Sequence, residues 1–267
     1  MEWLGNDFWT FVAVGLAAQL VDGALGMAYG LVSSSVLLAV GVPPAQASAA
    51  VHTAEVFTTG VSGATHAKLG NVDRKLFVRL AIPGVIGGVI GAYVLTQIPG
   101  DLIKPFIYAY LFLLAVLILL RATGRRIPRN EVKRVGVLGF FSGLLDASGG
   151  GGWGPMATST LLANGGQART SIGTVSASEF VVTLAISITF LLGIGLQHWQ
   201  VTAGLLVGGV IAAPIAAYLV KHVPERAVLG AVGVLVLAIS GFQIIHAWQQ
   251  SQAVPMARPQ LVAIAGR

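Results

Sequence analysis

The sequence predicts an all-α polytopic membrane protein made of two inverted-topology repeats. Each repeat has about five membrane elements, and the first two of each are short and broken by glycine, hairpin-like. Three observations predict it. Charged side chains make up 10% of the 267 residues, against about 25% in a soluble domain. Residues 80–100, 105–120, 199–220 and 227–245 hold no charged side chain or histidine, and each is near the ~20 residues that a helix needs to cross ~30 Å of hydrocarbon. Third, the chain repeats itself at a fixed offset. Asp22 and Asp146 lie 124 positions apart, as do Glu55 and Glu179. Gly15/Gly139, Leu20/Leu144, Gly26/Gly150, Gly30/Gly154, Ser35/Ser159, Leu37/Leu161, Leu38/Leu162, Ala39/Ala163, Gly41/Gly165 and Val51/Val175 share that register, giving 12 identities over positions 15–55.

The elements follow in order. In the first repeat (8–120) they fall at 8–22, 27–41, 45–67, 76–97 and 102–120. In the second (135–247) they fall at 135–146, 152–165, 170–194, 200–220 and 227–247. The first two of each repeat are too short for a full crossing and flank VDGALGMAYG (21–30) and LDASGGGGWGP (145–155). So many glycines do not make continuous helix, at about 1 kcal/mol each against alanine. Non-helical backbone at membrane depth must be buried in protein or line a watery cavity. The third element of each repeat carries a mid-helix glutamate. The fourth and fifth align at an offset of 125 (Gly84/Gly209, Tyr93/Tyr218, Pro99/Pro224), so one residue was gained between the third and fourth elements.

An odd number of elements makes the repeats cross in opposite senses. With both termini outside, Lys68, Arg74, Lys75, Arg79, Arg121, Arg125, Arg126, Arg129, Lys133, Arg134, Arg169, Lys221 and Arg226 lie inside, 13 of the 16 basic residues. Only Lys104, Arg258 and Arg267 fall outside. The segment 121–134 reads as a basic cytoplasmic linker, and 248–267 as a loose C-terminal tail. The N-terminus lacks a basic n-region, so its first segment is expected to stay in the mature protein. The net charge of +6 sits at segment ends, where topology places it, and does not indicate nucleic acid. Without cysteine there is no disulfide, thiolate metal site or cysteine nucleophile.

The breaks carry the chemistry. A helix starting near Met27–Tyr29 and another near Trp153–Pro155 would present free N–H groups and positive dipole ends, which hold an anion without arginine or lysine. Pro155 suits a first helical turn. The candidate binding residues are Gly26, Tyr29, Gly30, Ser33, Ser34, Ser148, Gly149, Gly150, Gly151, Gly152, Trp153, Gly154, Thr158 and Ser159, with Tyr29 and Trp153 as equivalent cavity walls. Close helix packing is the rival role for glycine. It is preferred at Gly84, Gly87, Gly88 and Gly91, and the site at Gly149–Gly152. Asp22 and Asp146 are placed to cap the turns that follow them or, with the glutamates, to link transport to protons. Glu55 and Glu179 are placed to carry protons, or to bond the neighbouring broken segment. His52, three residues before Glu55, is expected to partner it; its counterpart in the second repeat is Ser176.

No histidine or carboxylate spacing suggests a metal site, and no cofactor is implied. G-x-S-x-G and H-E-x-x-H are both absent, which sets an enzyme aside. A passive anion channel and a cation-coupled carrier of another small organic anion stand as alternatives.

The Gly-rich stretch after an Asp in each half, the A-x-x-T/S-x-x-E-like third elements (Ala50–Glu55 and Gly173–Glu179) and the basic central loop resemble the TauE/SafE sulfite-exporter family, also called the toluene-sulfonate uptake permease family. The resemblance covers residues 8–247. It implies a carrier in the bacterial inner membrane that exports sulfite, or moves sulfonates, thiosulfate and related sulfur anions. The expected partners are a small anionic substrate and the lipid bilayer, with a homodimer as the assembly it admits.

Overall fold

The computed structural model describes residues 8–25, 29–124, 134–158, 160, 161, 164, 167–195, 197–219 and 225–253. The elements are α1 (Phe8–Leu25), α2 (Tyr29–Ala39), α3 (Pro44–Lys68), α4 (Arg74–Gln97), α5 (Gly100–Ala122), α6 (Val135–Gly149), a π-helical turn π1 (Gly154–Thr158), α7 (Ala168–Ile194), α8 (Trp199–Leu219) and α9 (Glu225–Ala253). No strand occurs among the described residues, so the protein is all-α as expected. The expectations for Gly26, Ser159, most of the linker (125–133) and the tail from 254 fall outside the described residues.

Local chemistry sets the boundaries. Pro44 occupies the first turn of α3, where a missing N–H loses nothing. Asp73 caps α4 by accepting the N–H groups of Lys75 at 2.8 Å and Leu76 at 3.0 Å. Gly195 ends α7 at φ +68°, where its N–H donates to Leu191 C=O at 3.1 Å.

Four boundaries differ most from expectation. α1 runs to Leu25 and α6 to Gly149, each three residues past its aspartate. Neither carboxylate therefore marks a helix end, and both point onward to the next element. The second element of the second half, expected over 152–165, opens as the turn π1 instead. Pro155 contributes no N–H there, and Met156 N–H reaches back to Gly152 C=O at 3.1 Å. α9 continues to Ala253, so the start of the expected loose tail is helical.

Packing repeats as the sequence does. α1 lies on α8 and α6 lies on α4, while α3 packs on α7 and α5 on α9. Matching elements by the sequence offset exchanges the first two pairs and maps each of the others onto itself. Individual contacts recur. Gly15 sits on the Leu205 backbone and Gly139 on the Leu80 backbone; Gly209 faces the Tyr29 ring and Gly84 the Trp153 ring. Gly15, Gly139 and Gly84 admit backbone or ring where a Cβ would collide, and Gly209 a ring that a Cβ would press.

The outer surface is apolar, with Phe106 73%, Phe242 67% and Leu192 83% exposed. Such a surface suits lipid better than water. α4 and residues 170–194 of α7 are long and apolar enough to cross a bilayer unaided. α2, with 11 residues, is about 16 Å long at 1.5 Å per residue and cannot cross alone.

Candidate functional site

α6 stops because Gly150 turns left-handed at φ +67°, and its N–H closes on Asp146 C=O at 2.6 Å. The chain then runs unwound through Gly151 and Gly152 before π1. Asp146 reaches across this gap, and its Oδ1 accepts the N–H groups of Gly152 at 2.8 Å and Trp153 at 3.0 Å. At the equivalent place in the first half, Asp22 Oδ1 accepts the N–H of Tyr29 at 3.2 Å. Tyr29 and Trp153 are 124 positions apart, so one carboxylate-to-amide bond occurs twice.

The break after α6 meets the start of α2. A Cβ on Gly30 would strike the Gly150 carbonyl, and one on Gly151 would strike the backbone of Leu31. Ser34 Oγ donates to Gly150 C=O at 3.0 Å. The second glycine run is thus packed against the start of α2 with no room for side chains. That is the packing role that sequence reasoning had kept for other glycines. Glu55 reaches the same seam, its Oε1 lying beside Gly30. Glu179 stands within electrostatic range of Asp22, Asp146 and Glu55. The four acids therefore converge on two pairs of helix ends.

The walls are anchored by their polar tips. Tyr29 Oη donates to Leu205 C=O at 2.8 Å, and Trp153 Nε1 to Val175 C=O at 3.2 Å. The Ser148 hydroxyl donates to Leu144 C=O within α6 at 2.8 Å. Ser33 and Thr158 are fully buried, and their hydroxyls have no partner among the described residues. They are the candidate hydroxyls left with bonds to give. Gly149 and Gly154 are buried at the two edges of the break.

Among known proteins, the family described as sulfite exporter TauE/SafE matches residues 11–243. The chain belongs to that family. It is 43% identical over 254 residues to the probable membrane transporter protein YtnM of Bacillus subtilis (strain 168), covering 91% of this chain and 85% of that protein. It is 28% identical over 106 residues to the probable membrane transporter protein ORF9 of a Sinorhizobium species, 40% of each chain. No solved structure matches it. The protein is accordingly a multi-pass membrane transporter and not an enzyme.

This TauE/SafE transporter contains a contact that its sequence did not reveal. His52 turns from Glu55 and pairs with Asp146, Nε2 to Oδ2 at 3.2 Å, with both side chains buried. This corrects the expected His52–Glu55 partnership. The cause is Ser48, whose carbonyl holds His52 Nδ1 at 2.8 Å while its hydroxyl donates to Ala147 C=O at 2.7 Å. The ring is thereby steered toward α6. Ser48 and Tyr110 are the functional neighbours that sequence reasoning missed. The Tyr110 hydroxyl stands beside Gly152 without a partner among the described residues. Its signal was a tyrosine within an otherwise apolar span. A narrow crevice, too tight to hold a water molecule, lies alongside and is lined by Ser34, Leu38, Ser48, Ile107, Ser148 and Gly149.

Proposed function

We propose that this chain carries small sulfur-containing oxyanions, sulfite first and sulfonates or thiosulfate after it, across the bacterial inner membrane by alternating access, most simply as an exporter. One observation carries the reading. At two places related by the sequence repeat, the backbone N–H groups that open a short second element hold a carboxylate. Amides that stabilise a carboxylate in a dry interior suit an oxyanion of similar size. In this reading the anion replaces the Asp146 and Asp22 carboxylates at Gly152, Trp153 and Tyr29, and draws further bonds from Ser33 and Thr158. Glu55 and Glu179 carry protons in the same cycle.

Inverted repeats with the N-terminus outside supply the alternating geometry. The basic residues favour that orientation, and so do contacts among the connections. Gln46 bonds Gln197 at one end, where both neighbouring connections lack lysine and arginine. Asp73 N–H bonds Thr174 at the other, among Lys68, Arg74 and Arg169. An inside-negative potential drives anion export at about 2.3 kcal/mol per charge per 100 mV, so export needs no proton gradient to drive it. Purified protein in sealed vesicles, loaded in turn with sulfite, thiosulfate and a sulfonate, is expected to release at least one of them when an inside-negative potential is imposed. Release no faster than from protein-free vesicles for every anion tested would contradict the proposal.

A further inference from the structure

We infer that His52 and Asp146 together form a binding site for one proton, and that this proton admits the anion to the Gly152–Trp153 amides. The argument is one of donors and acceptors. His52 Nδ1 lies 2.8 Å from the Ser48 carbonyl. A carbonyl only accepts, so Nδ1 carries a hydrogen and donates it. The Ser48 hydroxyl, 3.1 Å away, does not reverse this, because its own hydrogen goes to Ala147 C=O at 2.7 Å. With Nδ1 protonated, neutral imidazole has only a bare lone pair at Nε2. That lone pair would face Asp146 Oδ2 at 3.2 Å, one acceptor against another. The contact is attractive only if a further proton lies between them, as imidazolium with carboxylate or as imidazole with carboxylic acid. Either way the pair holds one more proton than a neutral histidine beside a charged aspartate, and its net charge is zero. For two ionisable groups buried at membrane depth, that is the economical state.

Among the described residues, no cation acts on the pair's carboxylate neighbours. Facing the pair are Glu55 from the same helix, Glu179 from α7 and the Tyr110 hydroxyl from α5. Asp22 acts on both glutamates from α1, and the Phe190 ring of α7 covers the imidazole at 6.3 Å. Every group in that set is acidic or neutral.

The consequence for transport rests on the anion-carrier reading, whereas the proton site does not. A charged Asp146 and an incoming oxyanion compete for the same two N–H groups. Transfer of one proton from His52 Nε2 to Asp146 Oδ2 makes Asp146 a neutral acid and a weaker acceptor. The amides are then free for the anion, and no bond other than N–H and O–H changes. Without the pair's proton this exchange would leave two negative groups at one pair of amides. The second half has Ser176 where the first has His52, so the device occurs once in the molecule.

The test has two arms on the full-length protein in lipid. The first is ¹⁵N NMR of protein labelled at its five histidines, with His52 assigned by the signal lost in His52→Gln. A protonated Nδ1 with a proton on or shared by Nε2 is expected at neutral pH. A bare Nδ1 beside a protonated Nε2 would overturn the inference, whatever the protein transports. The second is thiosulfate uptake into vesicles under an imposed pH gradient, with thiosulfate chosen because it does not titrate near neutrality. An inside-alkaline gradient is expected to raise uptake by the wild type several-fold, and His52→Gln is expected to lose that response. A full gradient response in His52→Gln would also overturn the inference. If the wild type moves no thiosulfate, the carrier reading loses that substrate and the histidine spectrum still decides the proton site.

Discussion

Asp146 accepts two backbone N–H groups and faces an imidazole while almost fully buried; Asp22 holds the equivalent Tyr29 amide but is only half-buried. Truncation should expose the difference. Asp146→Ala strands two buried donors, at roughly 1–3 kcal/mol each, and leaves His52 without its partner. Asp22→Ala strands an amide at a wetter position. Thermal unfolding in detergent is expected to show a larger fall in midpoint for Asp146→Ala than for Asp22→Ala, and equal falls would contradict this account of the two sites. Glycine can be read in the same way. Gly152→Ala places a methyl 2.7 Å from the Asp146 backbone nitrogen and against the Tyr110 hydroxyl. Loss of most folded protein is expected, measured as the monodisperse fraction after extraction. Gly230→Ala meets nothing within 4 Å and is expected to be neutral or to stabilise by up to about 1 kcal/mol.

At the scale of elements, the four paired helices owe their closeness to small residues used twice. Gly15 and Gly139 serve α1–α8 and α6–α4, while Gly209 and Gly84 accept the Tyr29 and Trp153 rings. The sequence made much of this legible. Charge-free spans gave the long helices, and identities at offsets of 124 and 125 linked the elements that later proved to pack alike. The break after α6 was visible as a glycine run. What that run touches was not visible. That Gly151 abuts Leu31 depends on a contact between residues 120 apart, and local pattern carries no such information. His52 was misassigned for the same reason. Helical spacing put Glu55 on its face, but rotation of the ring by the Ser48 carbonyl gave it a partner 94 residues away. Helix ends were also shifted, because carboxylates that look like stop signals instead bond across a gap.

For the whole molecule, the account requires opposite orientation of the two halves. The natural sequence has no cysteine, so single reporters can be added on a silent background. Gln197→Cys, in the connection before α8, is expected to react with a membrane-impermeant thiol reagent in intact cells. Lys75→Cys and Arg134→Cys are expected to react only after the membrane is opened. All three positions are exposed, so access to the reagent is set by sidedness alone. Labelling of all three from one side would remove the inverted arrangement and the alternating access built on it.

The central claim is that a small oxyanion takes over the amides now held by the aspartates. Determining the structure with selenite, a heavier analogue of sulfite, tests it most directly, because selenium scatters anomalously and marks its own position. The account places the selenium peak between the start of π1 and the start of α2, within hydrogen-bond reach of the Gly152 and Trp153 N–H groups, with the Asp146 carboxyl swung away from them. A peak elsewhere, with Asp146 still accepting both amides, would contradict it.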